Sequence, residues 1–203
     1  MPSRSYHQFC ALARALDVVG DRWSLLIVRN LLLGPQRWSE LRDGLPGIAK
    51  NLLSSRLSEL TEHGVVVRED DRYALTEAGQ QLERALFALG DWGEAHCLGA
   101  PREGDAIRLR YLMTSIRRKL SPTMEEGWLQ LHVGPNAFSI RLGPEPTVVQ
   151  GEEPTATAVH TDFDGLRALL FQRQDPEALM REGVLGLRGD PALVRAFVGA
   201  FHS

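Results

Sequence analysis

Residues 38–75 read WSELRDGLPGIAKNLLSSRLSELTEHGVVVREDDRYAL, and this stretch decides the fold of the first half of the chain. Trp38 to Asp43 suits a short helix, broken by Gly44-Leu45-Pro46-Gly47. A second helix runs from about Ala49 to His63, with Leu53, Leu57 and Leu60 at helical spacing as its buried stripe. Gly64 ends it, as glycine commonly does just past a helix. Val65-Val66-Val67-Arg68 and Tyr73-Ala74-Leu75 then flank the acidic turn Glu69-Asp70-Asp71, which reads as a β-hairpin. Two helices joined by a glycine-containing turn and followed by a hairpin describe a winged helix–turn–helix.

The second of those helices has the face that a groove-reading helix needs. Projected at about 100° per residue, Lys50, Asn51, Ser54, Ser55 and Ser58 fall within an arc of about 140°, opposite the leucines. The N-terminal half of that face offers a cation, an amide and hydroxyls but no carboxylate, which would repel phosphate. Between Pro35 and Leu57 stand Arg37, Arg42, Lys50 and Arg56 against Glu40 and Asp43, a local balance of +2. The whole chain has 23 Lys plus Arg against 26 Asp plus Glu, net −3 at pH 7, so only local charge points to nucleic acid.

Outward from this unit, Phe9, Leu12, Leu16 and Val19 recur at helical spacing up to Gly20. A helix from about Arg22 to Leu33 is apolar on several sides, which makes it central to a core. After the hairpin, a long helix is expected from about Glu77 to Cys97, with Leu82, Leu86, Leu89 and Trp92 apolar. Those four exceed what one short core needs and, with Leu12, are the candidate dimerisation residues. A two-fold dimer would present half-sites about 34–36 Å apart.

The chain has 203 residues, of which 43% are hydrophobic and 24% charged. That is an ordinary globular composition, with room for one large domain or two small ones. Composition shifts at Gly99-Ala100-Pro101-Arg102-Glu103-Gly104, dividing the chain into residues 1–100 and 101–203. The second part reads as a helix over Ile107–Leu120, then strands at Trp128–Val133, Phe138–Leu142, Thr147–Gln150 and Thr155–Thr161. Asp162-Phe163-Asp164 caps a helix to about Phe171, and Asp175-Pro176 and Asp190-Pro191 each start another. Val184–Leu187 supplies a fifth strand. The fold class is α+β.

The first hundred residues resemble the HxlR family of winged-helix regulators, relatives of the MarR type. The matching stretches are Cys10 to Trp23, Trp38-Ser39-Glu40-Leu41, Leu45-Pro46-Gly47-Ile48, Leu52 to Leu57, Leu60 to Val65, Tyr73 to Thr76, and Ala78-Gly79. The resemblance implies a homodimer on double-stranded DNA, built from the first helix and the helix after the wing. The candidate DNA-binding residues are Arg37, Ser39, Lys50, Asn51, Ser54, Ser55, Arg56, Arg68 and Arg72. The acidic wing tip departs from such a role and leaves wing contacts to Arg68 and Arg72. Some members of that family sense oxidants or quinones through a cysteine near Cys10, which makes Cys10 a redox candidate.

The second half resembles the sterol-carrier-protein fold, in Ala156-Thr157-Ala158-Val159, Asp164 to Leu170, and Gly183 to Asp190 followed by an apolar helix. That likeness implies a sheet and covering helices around an apolar tunnel. Candidate ligand-lining residues are Trp128, Phe138, Leu169, Leu170, Phe171, Met180 and Val184, for a small apolar or amphipathic effector.

No nucleophile elbow, Walker loop, dinucleotide fingerprint or Cys-x-x-Cys occurs, so no catalytic residue, cofactor or enzyme activity is expected. The six histidines show no metal spacing. Two cysteines, no long apolar run and no apolar h-region after Met1-Pro2-Ser3-Arg4 fit a cytoplasmic protein with no membrane partner. The leading expectation is a ligand-responsive transcriptional regulator. The alternatives are a lipid-binding or transfer protein that uses the winged helix only to dimerise, and a repressor controlled through Cys10.

Overall fold

A computed structural model describes residues 5–202; Met1-Pro2-Ser3-Arg4, to which the expectation about an export leader refers, and Ser203 lie outside the described residues. The chain divides into two compact units, Met1–Arg110 and Tyr111–Ser203. The break falls ten residues after the expected boundary at 100. Residues 101–108 carry no regular element, and Arg110 hydrogen-bonds back to residues of the first unit.

The first unit opens with α1 (Ala11–Val19) and α2 (Ser24–Leu31). Asp21 starts α2 by accepting from the backbone N–H groups of Trp23 (2.8 Å) and Ser24 (3.2 Å). Next come β1 (Gln36–Arg37), α3 (Trp38–Asp43), α4 (Lys50–Glu62), β2 (Val66–Glu69) and β3 (Arg72–Leu75). The expected helix–turn–helix and hairpin are therefore present, with a third strand that the sequence reading lacks. β1 pairs with β3 through Gln36–Tyr73 and Arg37–Arg72, giving a sheet ordered β1-β3-β2. Glu69 pairs with Arg72 inside the ladder, so the wing tip is Asp70-Asp71 alone.

The core is built as the leucine spacing demands. Ile27, Val28 and Leu31 of α2 pack with Leu41 of α3, Leu53, Leu57 and Leu60 of α4, and Val66 of β2. α5 (Glu77–Gln81) and α6 (Glu83–His96) replace the single long helix expected from Glu77. They part at Leu82, whose N–H turns to the Gly79 carbonyl three residues back, tightening the backbone there. Gly79 itself has no alternative. A Cβ at that position would stand 2.1 Å from the Val65 carbonyl oxygen.

The second unit holds α7 (Leu109–Lys119, of which the first two residues belong to the first unit), β4 (Gly127–Val133), β5 (Asn136–Leu142), β6 (Thr147–Gln150), β7 (Thr157–Thr161), α8 (Phe163–Leu170), α9 (Pro176–Arg181), β8 (Gly186–Arg188) and α10 (Pro191–His202). The sheet order is β6-β5-β4-β7-β8, antiparallel except for the parallel pair β4–β7. Asp162, Asp175 and Asp190 accept backbone N–H groups at the starts of α8, α9 and α10, as their place before each helix predicts. The last strand begins at Gly186 rather than Val184, because the Val184 N–H is already bonded to the Leu179 carbonyl in the turn after α9.

β4 does not alternate cleanly, and the reason is a second cover. Leu129, Leu131 and Val133 are buried on the core face, but Gln130 on the opposite face is buried too. Residues 151–155 fold across it. The Gln130 amide donates to the Gly151 carbonyl (3.0 Å), and the Glu153 N–H donates to Gln130 Oε1 (3.2 Å) and Ser139 Oγ (2.9 Å). Among the described residues no helix is long and apolar enough to cross a membrane.

Candidate nucleic-acid interface

α4 begins without a cap. Ala49 stands at the N-cap position with no side-chain bond, and the first turn holds no acidic residue. Its first N–H groups therefore look outward unsatisfied, where the positive end of the helix dipole favours an anion such as phosphate. Lys50 and Asn51 occupy that first turn, both exposed. Neither they nor the exposed Ser39 has a hydrogen-bond or ion-pair partner among the described residues. These three side chains are available to an incoming ligand.

The other serines of the arc are partly engaged. The Trp38 indole N–H donates to Ser54 Oγ at 3.2 Å, which locks α3 to α4. Ser55 donates to Glu59 Oε1 at 2.9 Å. Arg56 departs from the expectation. Its half-buried guanidinium lies between Asp21 (3.4 Å) and Glu59, so it braces α4 against the start of α2 instead of facing outward. The i, i+3 position of Glu59 and the capping position of Asp21 are what draw it inward.

The arginines beside the wing are exposed but held. Arg37 Nε donates to Asp71 Oδ2 at 2.5 Å. That hydrogen bond raises the Arg37 guanidinium above its ordinary range and holds the Asp71 carboxyl below the usual carboxylate range. Arg72 reaches the Pro35 carbonyl (3.3 Å), and Arg68 lies 5.7 Å over the Tyr73 ring. One wing-tip carboxylate thus neutralises the arginine at the start of α3.

Behind the interface sits an anchor that no sequence pattern announces. Arg110 donates to the Asn30 carbonyl at 2.6 and 2.8 Å and to the Gly34 carbonyl at 3.3 Å, satisfying one carbonyl in the last turn of α2 and one just past it. With its amide oxygen turned toward the guanidinium, buried Gln36 accepts from Arg110 as well, at 2.9 Å. Burial pushes this guanidinium down to about 10, with Glu40 acting in the opposite sense. It stays charged at neutral pH. Asn30, fully buried, donates to the Gly44 carbonyl (3.2 Å) and so ties α2 to the turn of the helix–turn–helix.

The expected dimerisation residues fall into two groups. Leu82 and Leu86 are half-buried against the chain's own core. Leu12, Leu89 and Trp92 are 67%, 53% and 57% exposed, and Phe9, just before α1, is exposed completely. Cys10 is an exposed free thiol at the start of α1. In the second unit, Phe138, Leu169 and Leu170 are buried, while Trp128 and Met180 are half-buried. Phe171 and Val184 lie at the surface instead, 46% and 37% exposed, with Phe171 edge-on to Phe201 at 5.1 Å. The described residues gather no group of three His, Cys, Asp or Glu fit to hold a metal.

Known proteins match this first unit. A family model described as HxlR-like helix-turn-helix matches residues 18–100. An HTH-type transcriptional regulator of Mycobacterium tuberculosis, Rv3095, is 41% identical over 109 residues, covering 50% of this chain and 66% of that one. This chain therefore spans just under two thirds of that relative's length. The HTH-type transcriptional regulator YdeP of Bacillus subtilis is 33% identical over 94 residues, covering 43% of this chain and 73% of that one. Among solved structures, the quinone-bound YodB of Bacillus subtilis shares 32% identity over 41% of this chain and 96% of its own, with a TM-score of 0.40.

Proposed function

The chain belongs to the HxlR-like helix-turn-helix family of transcriptional regulators, and from that premise we propose that it is a cytoplasmic, ligand-responsive regulator that binds a palindromic operator as a homodimer. The observation that carries this reading is the first turn of α4. Lys50 and Asn51 are exposed and unpartnered there, beside uncapped N–H groups and with no carboxylate in the turn. An amide can read the edge of adenine and a lysine can read guanine or a phosphate. A helix retained only for dimerisation has no physical need of that face.

Dimerisation is supported by the exposed apolar side chains of Phe9 just before α1, Leu12 of α1, and Leu89 and Trp92 of α6, which stand in water in a single copy. We assign the second unit to a sterol-carrier-protein-like fold that takes a small apolar or amphipathic effector. Its five-stranded sheet and buried Phe138, Leu169 and Leu170 favour that assignment. Effector binding would act on DNA if it favoured one spacing of the two recognition helices over another.

A mobility-shift assay with the DNA upstream of the chain's own coding region tests the proposal. A retarded band that survives excess unrelated DNA is expected; a band removed equally by any DNA contradicts it. A second reading, control through the Cys10 thiol, is favoured by its exposure. It requires that an oxidant or quinone change the shift in the wild-type protein and leave Cys10→Ser unaffected.

A further inference from the structure

One row of the second unit's sheet runs Ala137, His132, His160, Gly186 across β5, β4, β7 and β8. Because β4 and β7 are parallel and in register there, His132 and His160 leave the sheet side by side and in the same sense. Their rings stack with centroids 4.3 Å apart and planes 5° apart. His160 is exposed and His132 half-buried, on the sheet face opposite Leu131 and Val159. The flanking residues are small. At Gly186 a Cβ would come no closer than 3.6 Å to the His160 side chain, so nothing bulky closes over that ring. Among the described residues neither imidazole has a hydrogen bond or an ion pair.

We propose that His132 and His160 form a two-imidazole site for a divalent first-row transition-metal ion such as Zn²⁺, Ni²⁺ or Cu²⁺. Imidazole nitrogen is a ligand that these ions accept, whereas Ca²⁺ and Mg²⁺ require oxygen. Metal–nitrogen bonds of about 2.0–2.1 Å put two ligand nitrogens about 3.3 Å apart at a tetrahedral centre such as Zn²⁺, and about 2.9 Å apart at the right-angled positions that Cu²⁺ and Ni²⁺ prefer. The stacked ring centroids stand 4.3 Å apart, so equivalent nitrogens must close by about 1–1.4 Å. A ring nitrogen binds a metal in the plane of its own ring, and these planes are only 5° apart, so the side chains must also turn about χ1 and χ2 until the two planes meet at the ion; His160, exposed on the sheet face, has the space to do so. The remaining coordination positions face water and can take an anionic ligand. The two residues are 28 positions apart in the chain, so no sequence spacing reveals them; only the parallel register joins them.

The test uses the full chain and the bare ions. In the wild type, substoichiometric Cu²⁺ should broaden the imidazole proton resonances of His132 and His160 together, ahead of those of His7, His63, His96 and His202. By calorimetric titration with Ni²⁺, His132→Gln and His160→Gln should each lower the strongest affinity by about tenfold or more, since even an outer-sphere partner of a ligand is worth roughly 10–100-fold. Both side chains reach solvent, so both variants should fold. Broadening that reaches one of the pair alone, or another histidine first, overturns the proposal. So does an Ni²⁺ affinity unchanged in either variant.

Discussion

Replacing Asp71 with asparagine tests how the wing controls binding to DNA of any sequence. In the wild type the Asp71 carboxylate holds Arg37 at 2.5 Å, so this guanidinium is neutralised before it meets phosphate. The asparagine side chain has nearly the same shape and no charge, and both partners are exposed, so folding should be unaffected. Each phosphate newly neutralised steepens the dependence of log K on log salt by about 0.9. One freed arginine per protomer therefore steepens the slope by about 1.8 for a dimer, and the loss of affinity between 50 and 200 mM salt grows by about twelvefold. Fluorescence anisotropy on an unrelated duplex over a salt series reads this directly. Acid should act in the same direction. The Asp71 carboxyl is held low by Arg37, so the pair persists at neutral pH and is lost only as pH falls below the ordinary carboxylate range. An unchanged salt slope in Asp71→Asn would show that Arg37 does not face the DNA, and the placement of the wing beside the backbone would be wrong.

Leu89→Glu should give a folded monomer by light scattering and the wild type a dimer, because Leu89 is 53% exposed in the single chain; a monomeric wild type removes the premise, and a dimeric variant moves the interface elsewhere. Gly79→Ala should lower the urea midpoint by the equivalent of about 1–3 kcal/mol, the usual cost of overpacking, since its Cβ would stand 2.1 Å from the Val65 carbonyl oxygen; an unchanged midpoint would mean that α5 can shift off β2. A fatty, aromatic or sterol-like molecule that binds the second unit should stabilise it by about 2.7 kcal/mol at a hundredfold excess over its Kd. A broad hydrophobic library that yields no thermal shift contradicts the effector reading.

The winged helix is legible because its signals are local. Leucines at 53, 57 and 60, glycines at 44, 47 and 64, and three valines before an acidic turn each act over a few residues. The caps at Asp162, Asp175 and Asp190 are legible for the same reason. Two-residue β1 is not, since only its pairing with β3 makes it a strand. The exposure of Lys50 and Asn51 can be read from the polar arc. The inward turn of Arg56 cannot, because it depends on Asp21, 35 residues earlier in the chain. Arg110 shows the same limit more strongly: its partners lie 76 and 80 residues away, and an arginine in a helix of many polar residues carries no mark of burial. Residue type alone marks Phe171 and Val184 as lining; it does not show that Phe171 ends α8 at the surface or that Val184 falls in the turn after α9.

The central claim is that the first turn of α4 reads the operator. It is tested most directly by measuring Lys50→Ala/Asn51→Ala against the wild type on the operator and on an unrelated duplex of equal length, at one fixed salt concentration. Both side chains are exposed and without partners, so the double variant should keep its fold and its oligomeric state. A base-reading contact is worth about 1–3 kcal/mol of discrimination, so the preference for the operator should fall by about tenfold or more, with affinity for the unrelated duplex changing far less. A double variant that still distinguishes the two duplexes as the wild type does would contradict the account.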